Sequence, residues 1–103
     1  MDNFKVIYRI LRYLEKAMDY DETDMDFISS SKLGISEQRW IAIMEMLVKE
    51  GYIVGIGVKR SAGGDVCLSI SDIRITMKGL EYLQENSLMQ KAANVVKGIA
   101  EII

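Results

Sequence analysis

The sequence predicts an α+β fold, and three observations carry the prediction. The first is a capped helical pattern from Glu37 to Glu50. Ser36 stands where its hydroxyl can accept from amides that the first turn leaves unpaired, and Gly51 stands at the left-handed position that closes many helices. The second is the abrupt change to Tyr-Ile-Val-Gly-Ile-Gly-Val over residues 52–58, β-branched and aromatic enough for a strand. The third is the Gly63-Gly64 pair between this run and Val66–Ile70, which suits a tight hairpin turn. Helix, Gly-Tyr-Ile, strand and glycine turn, in that order, is how a winged helix-turn-helix domain sets its second helix beside its wing. The expectation is a three-helix core, a β-hairpin wing and additional C-terminal helices, in a single domain over residues 1–103.

The first helix is expected from Phe4 to about Met18. Phe4, Ile7, Leu11, Leu14 and Met18 share one face at about 100° per residue, and Lys5, Arg9, Arg12 and Lys16 gather on the opposite one. The basic stripe reads first as a solvated helix face and second as a surface for phosphates or an acidic partner. Asp19 to Asp26 concentrates acid in a connector. It lacks the ligand spacing, central glycine and terminal Glu of a calcium loop, and it reads as a solvated segment that caps the next helix through Thr23 or Asp24. A short helix follows, Met25 to about Ser31, with Phe27 and Ile28 as its inward residues. The turn Lys32 to Ile35 then contains Gly34, which is free to take a positive φ.

On the next helix the inward arc is Trp40, Ile41, Ile43, Met44, Leu47 and Val48, and the outer face is Gln38, Arg39, Ala42, Glu45, Met46 and Lys49. Trp40 reads as a core anchor. Gly55-Ile-Gly57 lacks the third glycine and the following helix of a dinucleotide loop. Cys67 reads as a semi-buried strand residue, Ile73–Ile75 as a short third strand, and Thr76 as the cap of a helix from Met77 to about Glu85. In that helix Leu80 and Leu83 face inward and Gly79 permits a close approach. Asn86-Ser87 breaks the chain. Residues 87–103 then form a last helix whose wide apolar stripe, including Met89, Ala93, Val96, Ile99 and Ile103, suits packing across a homodimer or against the first helix.

Composition narrows the function classes. With no histidine and one cysteine, Cys67, the chain can form neither an internal disulfide, a Cys/His zinc site nor a histidine-based triad, a profile that fits a reducing cytoplasm. No apolar run approaches the ~20 residues of a membrane span, no basic-then-apolar leader is present, and no cofactor is implied. The net charge of −2 opposes DNA binding by bulk electrostatics. The distribution of charge weakens that objection: residues 1–26 carry −3, residues 27–58 are neutral and residues 59–103 carry +1.

Three stretches, Gly34-Ile-Ser-Glu-Gln-Arg-Trp40, Leu47-Val-Lys-Glu-Gly-Tyr-Ile53 and Ile75-Thr-Met-Lys-Gly-Leu-Glu-Tyr-Leu83, resemble the YjcQ family of small bacterial and phage-related proteins. The likeness continues through Gln84-Glu-Asn86 and the amphipathic last helix. The resemblance implies a winged-helix, cytoplasmic protein, often encoded near prophage genes, and assigns no general function.

Two functions from different classes remain in view. One is a small phage-type transcriptional regulator on double-stranded DNA. It would place Ser36, Gln38, Arg39 and Ala42 at the major groove, Lys32 at a phosphate, and Lys59 and Arg60 at the base of the wing. The other is a protein-interaction module that keeps the scaffold without DNA, favoured by Glu45 and Met46 on the same face and by an uncharged-to-acidic wing tip. No pocket, nucleophile or phosphate loop points to an enzyme.

Overall fold

Helix α1 (Asn3–Ala17) starts where the Asp2 carboxylate accepts from the Phe4 amide at 2.9 Å, in a computed structural model that describes residues 2–86. Its inward face is Val6, Ile10, Leu11, Leu14 and Ala17. That stripe is rotated from the expected one: Phe4 and Met18 are 68% and 54% exposed. The i, i+4 series Val6–Ile10–Leu14 sets the buried line. Phe4 stands on its edge in the first turn, and Met18 is the C-cap beyond the last. Lys5, Arg9, Arg12 and Lys16 lie exposed on the other side, as the spacing predicts.

The acidic connector is tied down by polar bonds. Asp24 caps a 3₁₀ turn (Met25–Ile28), its carboxylate accepting from the Asp26 amide at 3.0 Å. Helix α2 (Ser30–Leu33) is separate, capped by the Ser29 hydroxyl and closed by Gly34 at φ 72°. The short helix expected over 25–31 is thus two turns divided at Ser29, and Lys32 and Leu33 belong to α2 rather than to a turn. Ile28 is buried, but Phe27 is 59% exposed and stacks on Tyr13 with ring centroids 5.1 Å apart.

Helix α3 (Glu37–Lys49) has Ser36 as its cap, the hydroxyl accepting from the Arg39 amide at 3.1 Å. Ile43, Met44 and Leu47 are buried, with Trp40 and Val48 packed half-buried beside them. The Trp40 indole N–H donates to the Ile28 carbonyl at 2.7 Å, fixing α3 to the 3₁₀ turn. Gly51 (φ 82°) then turns the chain into β1 (Ile53–Arg60).

Strand β2 (Val66–Ile75) pairs antiparallel with β1 on both sides of an irregularity, so the separate third strand expected at 73–75 does not exist. A bulge replaces it. Between the pairs Val54↔Arg74 and Ile56↔Ile70, β1 advances two residues and β2 four, leaving Ser71, Asp72 and Ile73 opposite Gly55. The bulge turns Ile73 and Ile75 into the core while the outer part of the hairpin projects beyond it. Cys67, expected to be semi-buried, is exposed, because its position alternates onto the outer face with Ser69. Arg74 braces the base of the hairpin: its guanidinium donates to Asp72 at 2.8 Å, to the Ala17 carbonyl at 2.8 Å and to the Asp21 carbonyl. The Thr23 hydroxyl adds a bond to the Ile73 carbonyl at 2.7 Å.

Helix α4 runs from residue 77 to 86, the end of the described region. Thr76 caps it, accepting from the Gly79 amide at 3.2 Å while donating to the Gly51 carbonyl at 2.5 Å. A Cβ at Gly79 would stand 2.5 Å from the Tyr52 carbonyl oxygen, so glycine permits the close approach anticipated for it. The helix runs to Asn86, whose side chain donates to the Tyr82 carbonyl at 2.9 Å; the break expected at Asn86-Ser87 falls at the edge of the described residues. The expected dimer residues Met89, Ala93, Val96, Ile99 and Ile103 lie outside the described residues. Among the described residues no helix is long and apolar enough to cross a membrane.

Tyr82 packs against Tyr52, with centroids 5.3 Å apart. Burial, and then Tyr52 and Asp2 nearby, raise its phenol above the ordinary 10.0. A raised native pKa means the folded state holds the proton longer. The associated stability is complete below pH 10 and lost as pH climbs through the native value. Urea midpoints across pH 9–11 are expected to fall less steeply for Tyr82→Phe than for the parent; parallel curves would exclude Tyr82 as a contributor.

Candidate nucleic-acid interface

The residues the sequence nominated fall on α2, the start of α3 and the outer end of β1. Spacing along α3 puts Gln38, Ala42, Glu45 and Lys49 in one outward row opposite Ile43 and Leu47. Gln38, Ala42 and Lys49 are exposed, as are Lys32 on α2 and Lys59 and Arg60 on β1. Ser36 is exposed too, but its hydroxyl already serves the helix start, so a phosphate there would meet the amide end of α3 rather than a free hydroxyl.

Two nominated cations already have partners. The Arg39 guanidinium donates to the Asn3 side-chain carbonyl at 3.0 Å, which draws it to the start of α1 and to one edge of the row. Arg60 reaches back from the hairpin to Glu45, Nη2 to Oε2 at 2.5 Å, and Lys49 Nζ lies 3.2 Å from the same oxygen. Glu45 therefore does not stand as a bare negative charge on the face. It is the hub of a cluster carrying one net positive charge, its side chain only 13% exposed beneath cations that are 55% and 64% exposed.

This cluster is what the sequence alone does not disclose. Glu45 and Lys49 are visible as an i, i+4 pair. Arg60 joins them only because the hairpin register carries the end of β1 over α3, and nothing local in the sequence signals that. The structure thus brings Gln38, Ala42, Lys49 and Arg60 to one side built from α3 and β1, with Lys32 on the helix before, whereas Lys59 pairs with Cys67 and alternates onto the other face of the hairpin. Arg39 sits at the edge, toward α1. Met46, 48% exposed, lies near that edge as well.

Among the described residues there is no grouping of His, Cys, Asp or Glu suited to a metal ion. No curated protein and no solved structure matches the chain. The family model described as YjcQ protein matches residues 8–102, nearly the whole length and including all three stretches that carried the resemblance. The chain belongs to the YjcQ protein family.

Proposed function

We propose that the protein is a non-enzymatic, cytoplasmic DNA-binding protein of winged helix-turn-helix design, a small regulator that lays α3 in the major groove and the β1–β2 hairpin along the backbone. The observation that carries this reading is the Glu45 cluster. A free carboxylate in the middle of the row would repel phosphates, whereas one held between Arg60 and Lys49 leaves the face positive. Gln38 is then placed to address an adenine edge, with Ala42 leaving room for a thymine methyl. Lys32, Lys49, Lys59 and Arg60 supply the phosphate contacts. Four such contacts are modest for one chain. A second copy on a neighbouring half-site would double them.

Fluorescence anisotropy on a labelled duplex tests the proposal. Binding at micromolar protein is expected in about 50 mM salt, with a slope of log K against log salt near −4 for about four neutralised phosphates. A flat titration at that salt ends the proposal.

The cluster also makes a prediction of unusual sign. Glu45→Gln removes the one carboxylate among these cations, and with it the repulsion that offsets their pull on phosphate. Duplex affinity is expected to rise by roughly three- to tenfold, the scale of one unit of charge at a phosphate-facing surface. Because both cations are largely exposed and screened, the accompanying loss of stability stays under about 1 kcal/mol. Unchanged or weaker binding by this variant would mean that Glu45 does not oppose the phosphates.

A further inference from the structure

A second surface lies on residues that the α3–β1 face does not use. The C-terminal half of α1 and the connector enclose an open groove of about 530 Å³ lined by Tyr13, Lys16, Tyr20, Glu22, Asp24 and Phe27. A shallower depression of about 250 Å³ continues from it through Tyr13 and Lys16 to Tyr8, Arg9 and Arg12. The groove is a built feature. Phe27 is held against Tyr13 by ring stacking, and the Tyr13 hydroxyl accepts from the Asp24 amide at 3.1 Å. The acidic wall is fastened to the hairpin by the bonds of Arg74 and Thr23.

Its chemistry is unusual for a solvated surface. Tyr20 and Phe27, both on the lining, expose 68% and 59% of their area. Exposed aromatic rings grouped over a concavity are a mark of protein-binding sites. The charge is divided along the groove. Arg9 and Lys16, neither with an ion-pair partner among the described residues, lie toward α1, while Glu22 and Asp24 lie on the connector side.

We propose that this groove binds a linear peptide segment of a partner protein: an aromatic or leucine anchor seated against Tyr20 and Phe27, an acidic residue on the side of Arg9 and Lys16, and a basic residue on the side of Glu22 and Asp24. The divided charge selects this occupant. Single-stranded nucleic acid would also stack on the rings and meet the cations, but it carries a phosphate at every nucleotide and would run onto the carboxylates. Two concave faces do not fill one another, and the hairpin tip Ser61–Asp65 offers no large apolar side chain to insert; a second copy that brings the apolar residues of 87–103 to the groove is the dimerisation outcome of the test below. The site is independent of DNA binding by α3.

The test is selection from a phage-displayed library of random 12-residue peptides against the full chain, followed by anisotropy with the enriched peptides. The expected sequences carry one large apolar residue between an acidic and a basic position. Tyr20→Ala with Phe27→Ala is expected to weaken them by about thirtyfold, the scale of losing hot-spot aromatics. Tyr20→Ala alone, at a largely exposed position, keeps the test valid if the double variant unfolds, and is expected to weaken binding several-fold. Lys16→Glu is expected to weaken peptides through their acidic residue, with the loss largest at low salt. Failure to enrich any peptide, enrichment of peptides insensitive to Tyr20→Ala, or equal groove-dependent binding of a thymidine oligonucleotide overturns the proposal. Dimerisation that is abolished by the same variants would assign the groove to a second copy and overturn it equally. A flat duplex titration by a chain that still binds the selected peptides would end the DNA reading and leave this one standing.

Discussion

Gly55→Ala is expected to destabilise the protein by at least about 3 kcal/mol, a loss of roughly 12 °C or more in Tm for a domain of this size. Two independent costs fall on this residue. Its φ of 98° lies in a region that L-residues rarely adopt, worth about 1–2 kcal/mol even in the more favourable left-handed well. An added Cβ would also stand 2.2 Å from the Asp72 carbonyl oxygen and 2.9 Å from the Ile73 Cα. Those are backbone atoms of the bulge and cannot rotate away as a side chain would. Relief requires β2 to move, and β2 carries Ile73 and Ile75 into the core. Two other glycines separate the terms. Gly64 has φ 90° and nothing within 4 Å of where an added Cβ would stand, so Gly64→Ala isolates the dihedral cost at a loop that can relax. Gly57 has no positive φ, and its nearest neighbour would be the Ser69 Cβ at an ordinary 3.6 Å; Gly57→Ala is expected to be close to neutral. Thermal melts of the three variants decide the matter. Equal losses at positions 55 and 57 would refute the bulge as the cause.

The second large effect concerns DNA. Arg39→Glu combined with Lys59→Glu reverses two charges at separate places on the proposed interface, one at the α1 edge of α3 and one on the hairpin. Duplex affinity at about 50 mM salt is expected to fall by around a hundredfold, and the salt slope to shrink by at least one, Lys59 being one of the four phosphate contacts and the new carboxylate at position 39 adding repulsion at the edge. Both side chains are exposed and neither belongs to the core, so the fold is expected to survive with a Tm within a few degrees of the parent. Arg39 also bonds Asn3 at 3.0 Å, and Asn3→Ala tells that contact apart from a role on DNA: it removes the bond and leaves the cation. A double variant that binds duplex as tightly as the parent would show that the docking face lies elsewhere.

What can be read in the sequence is whatever is decided within a few residues. Ser36, Gly34, Gly51 and Thr76 announce helix starts and stops because capping is local chemistry, and each has that role in the structure. The inward arc of α3 follows from periodicity except at Ile41, which stands outside the core cluster that the other five residues join or pack against. Strand register does not: nothing near Gly55 says that three residues of β2 will face it, so the bulge reads locally as the start of another strand. Periodicity also misplaces residues at the ends of elements. Phe4, Met18 and Phe27 keep apolar spacing yet stand where the core has no wall to receive them. The site is legible as a set of side chains on one face of α3. Its electrostatics are not, because the sign of Glu45's influence depends on Arg60, fifteen positions away and brought near only by the hairpin.

Arg74 couples the connector to the base of the hairpin. Its guanidinium reaches carbonyls 57 and 53 residues back along the chain, and Thr23 spans 50 residues to Ile73. Closing loops of that length costs entropy before any bond repays it. The connector is held in place by the hairpin base, although the two lie some 50 residues apart in the chain. One wall of the Tyr20–Phe27 groove is thus shaped by contacts from the far end of the described chain, so that loosening the hairpin base loosens the groove with it.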